Sequence, residues 1–132
     1  MGIDFGMKRV GIAVTDPLKI LASPLTTIET PLAIEFVRDY CEKEEVDTIV
    51  VGMPLRLSGE ETHATRPALE FGESLKKKVP GVDLAWQDEQ FTSKMAVEAM
   101  VAGGMKKKDR RKKENIDKIS AAIILRSYLE NS

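Results

Sequence analysis

Short runs that favour β-structure open the chain, and helical stripes follow. Positions 2–5 and 10–14 are brief apolar runs separated by Gly6-Met7-Lys8-Arg9, which predicts a hairpin with glycine in its turn. After Asp16-Pro17, positions 20–21 and 25–28 predict a third strand, so the fold opens as a meander. Thr30-Pro31 starts a helix, with the hydroxyl at the cap and proline in the first turn. Its stripes are Leu32, Phe36, Tyr40 and Ala33, Val37, Cys41, and it ends near Glu45. Positions 48–52 form an unbroken apolar run bounded by charge and by Met53-Pro54, as suits a parallel strand covered on both faces. A polar loop over 57–62 leads to a second helix with the stripe Ala64, Ala68, Gly72, Leu75, Val79, closed by Pro80-Gly81. Val82, Leu84 and Trp86 then alternate with Asp83, Ala85 and Gln87 in a fifth strand that runs into Asp88-Glu89. Thr92 or Ser93 caps a third helix over 94–102, Gly103-Gly104 closes it, and 114–129 forms the last helix.

Three meandering strands followed by helix-strand-helix-strand-helix predict an α/β fold. Its mixed five-stranded sheet combines a three-strand antiparallel meander with two parallel strands, flanked by helices, and right-handed crossovers leave few topologies. At 132 residues, one domain spanning 1–132 is expected, burying about two thirds of its unfolded surface. A hydrophobic fraction of 42% and a charged fraction of 31% exclude a disordered chain. No apolar stretch approaches the roughly 18 residues needed to cross a bilayer, so no membrane partner and a cytoplasmic location are expected. Cys41 is the single cysteine, which leaves no internal disulfide or cysteine metal cluster, and it reads as a packing residue.

Net charge is −1, yet the charge is segregated: seven of the twenty Lys and Arg residues fall within 106–113, while acids crowd 42–47 and 88–89. Three acidic positions stand at the edges of predicted elements. Asp4 interrupts the apolar first strand, where a carboxylate is costly unless compensated, as a divalent cation would do. Asp88-Glu89 sits at the carboxyl end of the fifth strand, the edge of an open α/β sheet where sites concentrate. Neighbours in a strand point to opposite faces, so one of the two faces Asp4; Glu89 is the favoured ligand, with Asp88 orienting or capping. Asp117 shares a helical stripe with Ala121, Ile124 and Tyr128 and so projects from the buried side of the last helix. Oxygen-only sets of this kind hold Mg²⁺ or Mn²⁺, ions that carry phosphoryl chemistry.

The basic run Lys106, Lys107, Lys108, Arg110, Arg111, Lys112, Lys113 supplies a grip for a polyanion, and Lys8 and Arg9 are weaker candidates for the same role. No aromatic residue interleaves the run, which favours phosphate contact over base stacking. A carboxylate site beside such a grip predicts a nuclease. His63 reads as a surface or cap residue, Asp16 as a turn former, Lys76-Lys77-Lys78 as a solvated helix end, and Gly52-Met53-Pro54 equally as a backbone approach point for substrate or a tight strand exit.

Four segments in order (2–16, from Gly2-Ile3-Asp4-Phe5-Gly6 to Thr15-Asp16; Ile49 to Pro54; Asp88-Glu89-Gln90-Phe91-Thr92-Ser93; and Ile116-Asp117 before Ser120-Ala121-Ala122) closely resemble the YqgF (RuvX) family of bacterial nucleases. The likeness covers almost the whole chain. It implies an RNase H-like sheet, metal-dependent phosphodiester hydrolysis with Mg²⁺ or Mn²⁺, and maturation of the 5′ end of pre-16S rRNA, with Holliday junction resolution as the alternative activity. By motif position the resemblance makes Asp4, Glu89 and Asp117 the catalytic acids. Gln90 departs from the arginine that commonly follows the Asp-Glu pair, and the first strand is short. The expected partners are an rRNA precursor or branched DNA, bound by a monomer or a homodimer. Two rival readings keep the same residues in other roles: a non-catalytic nucleic-acid-binding module, and a phosphate-loop ATPase, which 132 residues are too few to complete.

Overall fold

A strand of three residues, β1 (Gly2–Asp4), lies at the centre of the sheet in the computed structural model, which describes residues 1–53, 65–88 and 92–131. β2 (Arg9–Thr15) and β3 (Ala22–Glu29) continue from it as an antiparallel meander, while β4 (Thr48–Met53) and β5 (Asp83–Asp88) add parallel strands on its other side. The order is β3-β2-β1-β4-β5, the expected mixed sheet. Pro24 falls beside an irregularity on β3, opposite Ile12 and Ala13; a residue without an N–H is tolerated there because β3 is an edge strand.

Strand periodicity divides the core in two. Ile3, Phe5, Val10, Ile12, Ile49 and Val51 face one side, packed by Ala33 and Val37 of α1 (Thr30–Lys43) and by Ala68, Phe71 and Leu75 of α2 (Thr65–Lys78). Rings of Phe5 and Phe71 meet there with centroids 5.0 Å apart. The opposite face carries Ala13 and Val50, covered by Ala121, Ala122, Ile124 and Leu125 of α5 (Lys113–Asn131). Small residues make this second layer thin. A Cβ on Gly2 would stand 2.7 Å from Ala121 O and 2.7 Å from Leu125 Cβ, so the helix lies almost directly on the sheet.

The remaining elements are α3 (Thr92–Ala102) and a four-residue helix, α4 (Lys107–Arg110), inside the basic run. Gly104 (φ 78°) ends α3: its N–H reaches Val101 O at 3.0 Å and that of Met105 reaches Met100 O at 2.9 Å, a left-handed closure that glycine adopts without strain. Ala64, expected in the second helical stripe, and His63 and Pro54 lie outside the described residues.

Two local expectations are corrected. Thr30 does not cap α1: Glu29 occupies that position without a side-chain cap, and Thr30 Oγ1 instead donates to Gly6 O at 2.7 Å while its N–H donates to Lys8 O at 3.0 Å. One residue thus ties the β1–β2 turn to the start of α1, a long-range partner that local capping rules do not see. Leu32 is exposed, so the buried stripe of α1 is Ala33 and Val37, flanked by Phe36, Tyr40 and Cys41. Asp16 behaves as the turn former expected, accepting from the N–H groups of Ile20 at 2.8 Å and Leu21 at 2.7 Å.

Candidate active site

Asp4 ends β1 on the face that carries Gly2, and therefore on the α5 side of the sheet. It is 8% exposed, the only carboxylate among the buried polar residues described. Directly across the strand pair, Asp4 is in register with Gly11. That glycine determines where the last helix can sit: a Cβ at position 11 would come within 2.0 Å of Asp117 O and 2.2 Å of Asp117 C. The α5 backbone at Asp117 therefore rests on the residue in register with Asp4, which brings segments from distant parts of the sequence to one strand pair. One strand further, Thr27, the register partner of Gly11, donates Oγ1 to Glu114 O at 2.6 Å and fixes the first turn of α5.

Asp117 is half-buried, and its Oδ2 accepts from Arg9 Nε at 3.0 Å. Arg9 is the first residue of β2, two positions before Gly11 and thus on the α5 face. The sequence makes Arg9 a weaker candidate for phosphate contact; the structure pairs it with Asp117. No local signal predicts that contact, because it depends on the docking of α5. Gly11 and Ser120 stand in the segments that carry the resemblance, but their packing is seen only in the structure: Ser120, a turn beyond Asp117, is fully buried and its Oγ has no hydrogen-bond partner.

Asp88 closes β5 and is exposed. It has the parity of Leu84 and Trp86, which pack on the α1/α2 side, whereas Ala85 packs under α5. Strand parity thus puts Asp88 on the face opposite Asp4, in keeping with the expectation that Glu89 is the favoured ligand and Asp88 orients or caps. Glu89 and Gln90 lie outside the described residues. Among the described residues no three His, Cys, Asp or Glu side chains gather as a metal-binding group. Asp4 and Asp117 are the two of the expected three acids that are described. Their hard oxygens, on a face lined by glycine and alanine, have the chemistry that Mg²⁺ or Mn²⁺ requires.

The basic run leads into α5, whose first residue is Lys113. Lys106, Lys107, Lys108, Arg111, Lys112 and Lys113 are exposed, Lys112 Nζ lies 3.4 Å from Asp109 Oδ1, and Arg110 is half-buried with an unpartnered Nε. Asn115 Nδ2 donates to Asp109 O at 2.9 Å and joins α4 to α5. Lys8 is exposed on the turn held by Thr30.

A mixed sheet in the order β3-β2-β1-β4-β5, with α5 laid across β1 and β2, is the fold of the resolvase class. Among solved structures the chain is similar to Thermus thermophilus RuvC in complex with a Holliday junction substrate, with a TM-score of 0.59 and 16% identity over 98% of this chain and 92% of that one. It also resembles the Fowlpox virus resolvase in complex with Holliday junction DNA, with a TM-score of 0.54 and 12% identity over 98% and 95%. The chain belongs to the RuvX family, described as Holliday junction resolvase, which matches residues 1–131. Its relatives include proteins named "Putative pre-16S rRNA nuclease" from Phocaeicola vulgatus, 47% identical over 99% of this chain and 94% of the relative, and from Amoebophilus asiaticus, 47% identical over 99% and 93%.

Proposed function

We propose that the chain is a metal-dependent endonuclease that hydrolyses phosphodiester bonds in the precursor of 16S rRNA, at the 5′ end of the mature sequence. The observation that carries this reading is the seating of Asp117 on Gly11, beside Asp4, on a face next to the basic run. The names of the relatives support the substrate, and the fold of the resolvases supports the chemistry. Asp4, Glu89 and Asp117 would hold Mg²⁺ or Mn²⁺, with Asp88 orienting or capping. When bound, such an ion activates water and stabilises the leaving oxygen. The chain's own residues do the rest: Asp4 and Asp117 are presented at fixed positions by the sheet and by α5, and the lysines and arginines bind the strand through its phosphates.

No membrane-spanning helix exists among the described residues, and a cytoplasmic setting belongs to the same reading. Labelled rRNA precursor should be cut with Mg²⁺ and left whole with chelator. A four-way DNA junction in parallel separates the alternative activity, since cutting of the junction with the RNA untouched would overturn the rRNA assignment. Binding of RNA that survives chelation, with no product under any ion, would favour a non-catalytic module.

Exposed cations on the basic run predict a strongly salt-dependent grip. Replacing Lys106, Lys107 and Lys108 with alanine should weaken binding at all sequences alike and reduce the slope of log affinity against log salt by about 2 to 3. Filter binding across a salt series measures it; an unchanged slope would place the RNA elsewhere.

A further inference from the structure

The bond from Arg9 to Asp117 sets a permanent cation on one of the carboxylates that the metal reading requires. This is not a loose surface pair. The side chains of Arg9 and Asp117 are 33% and 22% exposed, against 58% and 66% for Lys19 and Asp47, so solvent screens the first pair less. Both backbones are also fixed. A Cβ at Gly6 would stand 2.5 Å from Arg9 O, and the main chain of Asp117 rests on Gly11, so the stem of the arginine and the root of the aspartate cannot drift apart. The contact uses Nε, at the near end of the guanidinium, which leaves the outer amino groups to address a further acceptor.

Resting on the metal-site reading above, we infer that Arg9 is a resident counter-cation that competes with the divalent ion for Asp117. In the ion-free chain it compensates a carboxylate held against the sheet. A divalent ion on the same carboxylate repels the guanidinium, so each cation weakens the other's hold, and the weakening is reciprocal. Once displaced from Oδ2, the planar fork of Arg9 is free for the geometry it matches best, the paired oxygens of a phosphodiester. Ion loading and substrate grip are thereby coupled through one side chain, and the acid pocket is never left without a positive partner.

Calorimetric titration of Mn²⁺ into the wild type, Arg9→Gln, Arg9→Met, Arg9→Lys and Asp4→Asn tests this, with circular dichroism to verify folding. Arg9→Gln and Arg9→Met should bind the ion about tenfold more tightly, within the usual range of coupling between two ligands. Arg9→Lys, which keeps the charge, should stay close to wild type. Addition of Mn²⁺ should raise the thermal midpoint more in Arg9→Gln than in wild type, while cleavage at saturating ion falls. Equal or weaker ion binding in Arg9→Gln and Arg9→Met would overturn the inference, as would markedly tighter binding in Arg9→Lys. Asp4→Asn separates the two levels. Wild-type affinity in that variant defeats the carboxylate site itself, whereas lost affinity there with unchanged affinity in Arg9→Gln defeats the role of Arg9 alone.

Discussion

Asp4→Asn and Asp117→Asn are each expected to reduce cleavage by more than about a hundredfold while the chain stays folded. Residues that merely orient a metal ligand are typically worth about 10- to 100-fold, so loss of the ligand's own charge must exceed that. The amide preserves size and most hydrogen bonding, which keeps the test local. At position 4 it removes a carboxylate from a nearly buried site, and at position 117 it leaves an acceptor for Arg9 Nε 3.0 Å away. Single-turnover cleavage of labelled precursor, read beside far-UV circular dichroism, gives the answer. Near-wild-type rates in either variant would remove that residue from the chemistry.

Gly11→Ala should be the most damaging single-methyl substitution on this face. Its Cβ would need the space held by the Asp117 carbonyl, 2.0 Å away, and backbone cannot swing aside as a flexible side chain can. Overpacking typically costs about 1–3 kcal/mol and here stands at the upper end, so the thermal midpoint should fall by roughly 10 °C. Lifting α5 also carries Asp117 away from Asp4, so activity should fall further than stability accounts for, below the unfolding transition. A thermal scan and a cleavage assay on the same sample decide it. Wild-type values in both would mean that α5 is not seated on Gly11.

The order and class of the five strands and of α1, α2, α3 and α5 could be read from the sequence because each rests on a local signal, whereas α4 lies in the basic run, which has no helical stripe. The meander follows from short apolar runs, β4 from an unbroken one, and the end of α3 from paired glycines, the second at φ 78°. The depth of Asp117 could also be read, since its helical stripe includes Ala121 and Ile124, both buried. What remained hidden depends on partners far along the chain. Thr30 looks like a cap, yet its hydroxyl serves the carbonyl of Gly6. Arg9 looks like a phosphate contact, yet it meets Asp117. Gly11 looks like any glycine in a strand until a helix backbone is found against it.

The position of α5 on β1 and β2 also has a consequence for folding. Gly2 and Gly11 lie on strands formed early in the chain, but the backbone that packs on them, at Asp117, Ala121 and Leu125, belongs to α5. On the metal-site reading proposed above, a chain whose strands have paired but whose α5 has not docked holds Asp4 without Asp117, so ion binding would report the docking of that helix.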